Sequence, residues 1–120
     1  MSTTSTRQEI DRVELPAVID RYVVAHGAKE VDTAITCFTA DATVVDDGRT
    51  HTGADDIKTW LGASSPEWNY TSTPTAFRKA DDTHYVVVQH VVGDFPGGVV
   101  DLNFRFTMRD GLISHLAIEP

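Results

Sequence analysis

The segment VVDLNFRFTMRDGLISHLAIE, residues 99–119, decides the fold class of this 120-residue chain. In its first half every second side chain is apolar, and the side chains between them are mostly polar. This period of two predicts a strand with one buried face, formed by Val100, Leu102, Phe104, Phe106 and Met108. Asp110-Gly111 is a strong hairpin signal, so residues 112–119 are predicted to return as the last strand.

Two further strands are predicted before this hairpin, at residues 68–80 and 84–95. Asp81-Asp82 separates them, and Pro96-Gly97-Gly98 separates the second from residue 99. Gln89 and His90 are neighbours in the second strand and must face opposite ways. We expect Gln89 to face a cavity, because it shares a face with apolar side chains, namely Tyr85, Val87 and Val91.

The first half of the chain has the period of a helix instead. One apolar stripe consists of Leu15, Val18, Ile19, Tyr22, Val23 and His26, and this helix is bounded by Pro16 in its first turn and by Gly27. A second, short stripe consists of Val31, Ala34, Ile35 and Phe38, and a third of Ile57, Trp60 and Leu61. A strand is predicted at residues 43–46, between the second and third helices.

This order of elements predicts an α+β fold. We expect a cone-shaped α+β barrel, with three N-terminal helices packed on a curved and mostly antiparallel sheet. A cavity inside the cone is a usual place for a small-molecule site. Residues 1–10 are predicted to be a disordered tail, and residues 11–120 a single domain.

Composition argues against several classes of partner. Ten Lys and Arg against eighteen Asp and Glu give a net charge of −8, which repels phosphate backbones and anionic lipids, so we expect no nucleic-acid partner and no membrane partner. The polar start MSTTSTRQEIDR has no apolar signal-peptide core, and a cytoplasmic location is expected.

The sequence provides no motif for a metal or a cofactor. Its five histidines show neither HxH nor HExxH spacing, and neither GxGxxG nor GxxxxGK[ST] occurs. We therefore expect no metal and no cofactor, although a metal site assembled only in three dimensions remains an alternative at this stage.

Three segments together resemble a known family. They are RYVVAHGAKEVDTAITCFTADATVVDDG at residues 21–48, HTGADDIKTWL at 51–61 and NFRFTMRDGLISHLAI at 103–118. They are similar to the nuclear transport factor 2-like superfamily, and in style to SnoaL-like polyketide cyclases and ketosteroid isomerases. The resemblance covers roughly residues 12 to 119. It implies the fold more strongly than any activity, because these folds host many functions.

The resemblance also implies site residues. Tyr22, in the run Arg-Tyr-Val, matches a phenol that binds the substrate oxygen, and Asp46, in Asp-Ala-Thr-Val-Val-Asp, matches a general base. Ketosteroid isomerase is the standard example of an Asp base beside a Tyr-containing oxyanion hole. Leu102 stands where those enzymes carry a second, protonated acid. From the residues alone, Asp46 is more simply a turn residue, and periodicity does not decide whether Val44 and Asp46 or their neighbours face inward.

Further residues complete the predicted site. Alignment with the family's last strand turns His115 inward, where it would be a third catalytic group; a histidine satisfied within the core is the alternative. The predicted substrate-pocket residues are Trp60, Gln89, Leu102, Phe104 and Val44, and Trp68 is a further candidate for an apolar wall.

We therefore expect a small, cofactor-independent enzyme that binds a hydrophobic cyclic or polyketide-like ketone and removes a proton next to its carbonyl, as an isomerase, cyclase or dehydratase does. The alternative is a non-catalytic binding or accessory module. An epoxide-hydrolase-like site is less favoured, because Arg105 faces away from the cone. The outer face of the sheet, with Val99, Asn103 and Thr107, suits a homodimer.

Overall fold

The computed structural model describes residues 9–63 and 70–120. A short 3-10 turn, Arg12–Glu14, precedes the regular elements. These are α1 (Ala17–Gly27), α2 (Val31–Ile35), β1 (Phe38–Asp46), β2 (Arg49–Thr52), α3 (Ala54–Ala63), β3 (Tyr70–Asp81), β4 (His84–Gly93), β5 (Val99–Arg109) and β6 (Leu112–Glu119). Trp68 lies outside the described residues.

The six strands form one mixed sheet in the order β2-β1-β6-β5-β4-β3. Its pairs are antiparallel except β1 with β6, which run parallel. Three helices pack on this open sheet and form the cone-shaped α+β fold, which confirms the predicted fold class. The hairpin at Asp110-Gly111 is also confirmed, because β5 and β6 pair on either side of it.

The core lies between the helices and one face of the sheet. Its fully buried side chains come from the predicted helix stripes and from alternate strand positions, as the two periods require, and the largest are Tyr22, Phe106, Ile19, Ile57, Ile113, Leu116 and Val44. Burying one side chain of this size contributes roughly 1.5–3 kcal/mol to the stability of the fold. This packing holds α1 and α3 against the sheet.

Two features of the first half differ from the sequence prediction. β1 begins at Phe38, which the sequence assigned to the second helix, because Phe38 pairs with Ile113 on β6. β2 was not predicted, because its residues Arg-Thr-His-Thr show no apolar alternation. It forms because the tight turn after Asp46 returns the chain along β1.

The chain before α1 also contacts the sheet. Glu9 forms an isolated bridge with Arg78, and the backbone N–H of Ile10 donates a 2.9 Å hydrogen bond to the carbonyl of Phe77. These two residues, which the sequence assigned to the tail, therefore pair with β3; residues 1–8 lie outside the described part. In the described chain, no helix combines the length and the apolar character needed to cross a membrane.

Candidate functional site

A cavity of about 500 Å³ opens between the inner face of the sheet and the ends of α1 and α3. This volume is within the range of small-molecule sites. Most of its wall is apolar, formed by Val91, Phe95, Val100, Leu102, Phe104 and Ile118. Its polar lining includes His26, Asp46, Asp47, Ser72, Gln89 and Glu119.

Asp46 is the last residue of β1 and lines this cavity. Val44, two residues earlier, is fully buried, whereas Thr43 and Val45 are half-buried. Alternation therefore places Asp46 on the inner face, which settles the choice that the sequence left open. The turn that follows has positive φ at both central residues, 53° at Asp47 and 75° at Gly48, as a tight hairpin of this type requires.

The Asp46 carboxylate is held by α3. The indole N–H of Trp60 donates a 3.0 Å hydrogen bond to its Oδ2. Among the described residues this is the hydrogen bond that the Asp46 side chain makes, and it uses Oδ2. Trp60 also lines the cavity and packs against the ring of His51, with ring centroids 5.9 Å apart.

His26, in the last turn of α1, presents its ring to the same cavity. Its Nδ1 lies 2.7 Å from the hydroxyl of Tyr22, one helical turn earlier. The ring packs edge-on against Trp60, with centroids 5.6 Å apart, and lies tilted against Phe104 at 5.8 Å. Burial lowers the pKa of His26 from 6.5 to about 4, so the imidazole is neutral near pH 7.

Tyr22 lies behind His26 and does not reach the cavity. It is fully buried, is absent from the cavity lining, and packs edge-on against Phe38 and Phe106. Burial, followed by the negative charge of Asp46, raises the pKa of Tyr22 well above its usual 10, so the phenol keeps its proton. The predicted direct contact between Tyr22 and a substrate oxygen is therefore replaced by contact with His26.

The strands β4 and β5 contribute the far wall. Gln89 is buried, with 3% of its surface exposed, and its Oε1 accepts a 3.1 Å hydrogen bond from Ser72. His90 lies on the opposite face and bonds Asp101 at 2.7 Å, as predicted from alternation. Leu102 and Phe104 line the cavity. Val44, which the sequence proposed as a pocket residue, is instead fully buried in the core.

His115 is not where the sequence predicted it. Leu116 pairs with Phe106 and Val44, and all three are buried, so the preceding His115 lies on the outer face, opposite Thr43 and Thr107. It does not line the cavity. The cause is a register shift between Thr107 and Met108, because one extra residue turns every following side chain to the other face.

The structure adds His26 as a candidate site residue, which the sequence patterns did not assign. The signal was present: His26 ends the apolar stripe of α1, four residues after Tyr22, and i, i+4 pairs share a helix face. In residues 9–63 and 70–120, no group of three or more His, Cys, Asp or Glu side chains could hold a metal ion.

Comparisons with known proteins agree with this architecture. A search of curated protein sequences finds no significant match. A crystal structure of a candidate polyketide cyclase from Sinorhizobium meliloti is 31% identical, with a TM-score of 0.84, and the alignment covers 92% of this chain and all of the other.

A second solved structure is more distant. A hypothetical protein from Catenulispora acidiphila with a ketosteroid isomerase-like fold, in complex with trimethylamine, is 22% identical over 88% of this chain and 85% of the other, with a TM-score of 0.76. The sequence profile of the SnoaL-like domain matches residues 8–112. The chain is therefore a member of the SnoaL-like domain family.

Proposed function

We propose that this protein is a cofactor-independent enzyme that removes a proton from the carbon next to the carbonyl of a hydrophobic cyclic or polyketide-like ketone. Asp46 is the base. Isomerisation, aldol cyclisation and dehydration all begin with this step, so the proposal covers that group of reactions.

One observation carries the proposal. The carboxylate of Asp46 lines an apolar cavity, and the Trp60 indole holds one of its two oxygens. A base is effective when its orientation is set before the substrate arrives. If Asp46 only capped its turn, its carboxylate would accept hydrogen bonds from nearby backbone amides; its bond to a residue 14 positions away supports the catalytic interpretation.

The cavity lining argues against an anionic ligand. Its charged side chains in the described chain are Asp46, Asp47 and Glu119, and neither Lys nor Arg lines it. A carboxylate or phosphate on the ligand would be repelled by these acids without a partner. The lack of an arginine also disfavours the epoxide-hydrolase-like alternative, since Arg105 is exposed and bonds Glu119 at 3.3 Å.

The experiment is exchange of the α-hydrogens of 2-tetralone for deuterium, followed by NMR. General-base catalysis contributes typically about 10²–10⁴-fold, so we expect Asp46→Asn to lower the enzyme-catalysed rate at least about 100-fold. The matched control is Asp55→Asn, which neutralises an exposed carboxylate in the first turn of α3 and should leave the rate within twofold.

Equal exchange by wild type and Asp46→Asn would remove the assignment of Asp46. If 2-tetralone binds both proteins and neither accelerates exchange above the solvent rate, the protein is instead a non-catalytic small-molecule-binding module.

A further inference from the structure

We propose that His26 binds the ketone oxygen through its Nε2–H, and that Tyr22 is a positioning residue that selects this tautomer. The inference rests on the proposed function for its substrate class. It gives the site two parts: Asp46 for the proton and His26 for the oxygen.

Tyr22 and His26 lie on one face of α1, four residues apart, and the phenol oxygen is 2.7 Å from Nδ1. His26 lines the cavity and Tyr22 does not. The imidazole therefore stands between the buried phenol and any ligand, with its ring packed against two cavity walls, Trp60 and Phe104.

The hydrogen bond determines the tautomer. A phenol has one proton to donate, and among the described residues His26 Nδ1 is the acceptor available to Tyr22. If Nδ1 accepts, it carries no proton, and a neutral imidazole then carries its proton on Nε2. The opposite arrangement would leave the proton of a fully buried phenol without an acceptor, which costs free energy.

The other ring nitrogen of His26, Nε2, is the group that would meet a ligand. In residues 9–63 and 70–120, every fully buried side-chain nitrogen or oxygen has a hydrogen-bond partner. His26 makes one side-chain hydrogen bond in this part of the chain, and it uses Nδ1. The ring is half-buried and lines the cavity together with Trp60 and Phe104, so the proposal places Nε2 on the cavity side.

The charge states agree with this geometry. The lowered pKa of His26, caused by burial, keeps the ring neutral near pH 7, and the raised pKa of Tyr22 keeps the phenol protonated. A neutral imidazole can polarise a carbonyl by donating a hydrogen bond, as the neutral histidine of triosephosphate isomerase does.

The electron and proton balance is simple. The Asp46 carboxylate forms a bond to the α-hydrogen as the C–H bond breaks. The electron pair moves into the new C=C bond, and the carbonyl π electrons move to oxygen. The oxygen then accepts a stronger hydrogen bond from Nε2–H, which keeps its proton, and Asp46 holds the proton that it later returns.

The tautomer is tested in the free protein by two-bond ¹H–¹⁵N correlation NMR at pH 7. We expect His26 to carry its proton on Nε2 in wild type, and Tyr22→Phe to give a mixture of tautomers. Tyr85→Phe, which removes a tyrosine hydroxyl outside the cavity lining, should leave the His26 signals unchanged. A proton on Nδ1 in wild type would overturn the proposal.

The oxygen contact is tested with carbonyl-¹³C-labelled 2-tetralone bound to Asp46→Asn, which should not turn it over. We expect the infrared carbonyl band to shift to lower frequency on binding. Adding His26→Leu should abolish the shift and weaken binding about 3- to 10-fold, the size of one neutral hydrogen bond. His26→Gln, which keeps an N–H donor, should restore part of the shift.

His90→Leu, on the outer face, is the matched control and should leave the shift unchanged. An unchanged shift in the His26→Leu background would overturn the assignment. If His26→Leu fails to fold, His26→Gln and Tyr22→Phe in the Asp46→Asn protein replace it. An infrared carbonyl band that is identical in both variants and in Asp46→Asn alone would contradict the assignment of His26. These readouts need no turnover, so they can succeed even if Asp46→Asn retains exchange activity and the proposed function fails.

Discussion

The indole N–H of Trp60 donates a 3.0 Å hydrogen bond to Oδ2 of Asp46, joining the middle of α3 to the end of β1. Both residues line the cavity. A bond from a neutral donor to a charged acceptor contributes about 1.5–3 kcal/mol, enough to hold the carboxylate in one orientation. The position of the proposed base therefore depends on the packing of α3.

Trp60→Phe tests this dependence. The variant keeps an aromatic ring and removes the donor, so we expect the free energy of unfolding in urea to fall by about 1–2 kcal/mol and 2-tetralone exchange to slow at least about tenfold, because the base loses its orientation. Ile57→Val, a buried change on the same helix outside the cavity, should cost about 1 kcal/mol with the exchange rate nearly unchanged. Equal exchange rates in Trp60→Phe and wild type would show that this bond has no role in activity.

Two tight turns of the sheet, those after β1 and after β5, provide a matched pair of glycines. Gly48 has φ 75° and Gly111 has φ 77°, each after an aspartate with φ near 54°. Alanine in this region costs about 1–2 kcal/mol, so Gly48→Ala and Gly111→Ala should lose similar stability in urea denaturation. Only Gly48→Ala should slow exchange, because its turn directly follows Asp46. A similar loss of activity in both variants would contradict this role for the first turn.

The stability of the protein should depend on pH through His26. Its pKa is about 4 in the folded protein against 6.5 ordinarily, so the unfolded chain binds more protons between these values. The contribution of neutral His26 to the free energy of unfolding is therefore fully present above pH 6.5. It is lost as the pH falls toward 4, which lowers the free energy of unfolding by up to about 3 kcal/mol. Thermal unfolding from pH 7 to 4 should show a smaller decrease in His26→Gln than in wild type.

The cavity acids Asp46, Asp47 and Glu119 are present in both proteins of that comparison, so the difference between the two curves isolates His26. Ile57→Val, a buried change that leaves every titratable group in place, is the control and should give a curve parallel to that of wild type. Parallel curves for His26→Gln and wild type would exclude a buried neutral His26.

We also propose a homodimer through the outer face of the sheet. Val92 and Val99 are paired neighbours on this face and are 45% and 56% exposed, and an exposed apolar pair favours association. Light scattering at increasing concentration should give a dimer mass for wild type and a monomer mass for Val99→Lys. Val24→Lys, at a similarly exposed valine on α1, should remain dimeric. A monomeric wild type would contradict the proposal.

Much of the architecture follows from local patterns. The alternation of β5 and the Asp110-Gly111 turn determine the last hairpin, and the neighbouring positions of Gln89 and His90 determine which faces inward. These predictions hold because side-chain direction in a regular strand depends only on the count of residues. β2 was not predicted because its polar sequence shows no alternation of apolar and polar residues. It pairs with β1 because the preceding turn brings the two segments together.

The sequence alone therefore determined the fold class, most of the strands and helices, and the acidic residue that ends β1. Only the tertiary structure decided the contents of the cavity. His115 faces outward because a bulge between β5 and β6 shifts the alternation of inward and outward side chains by one residue. Tyr22 is covered because His26, one helical turn later, lies between the phenol and the cavity. Periodicity assigns a side chain to a face, but the order of side chains from core to cavity depends on how separate elements pack together.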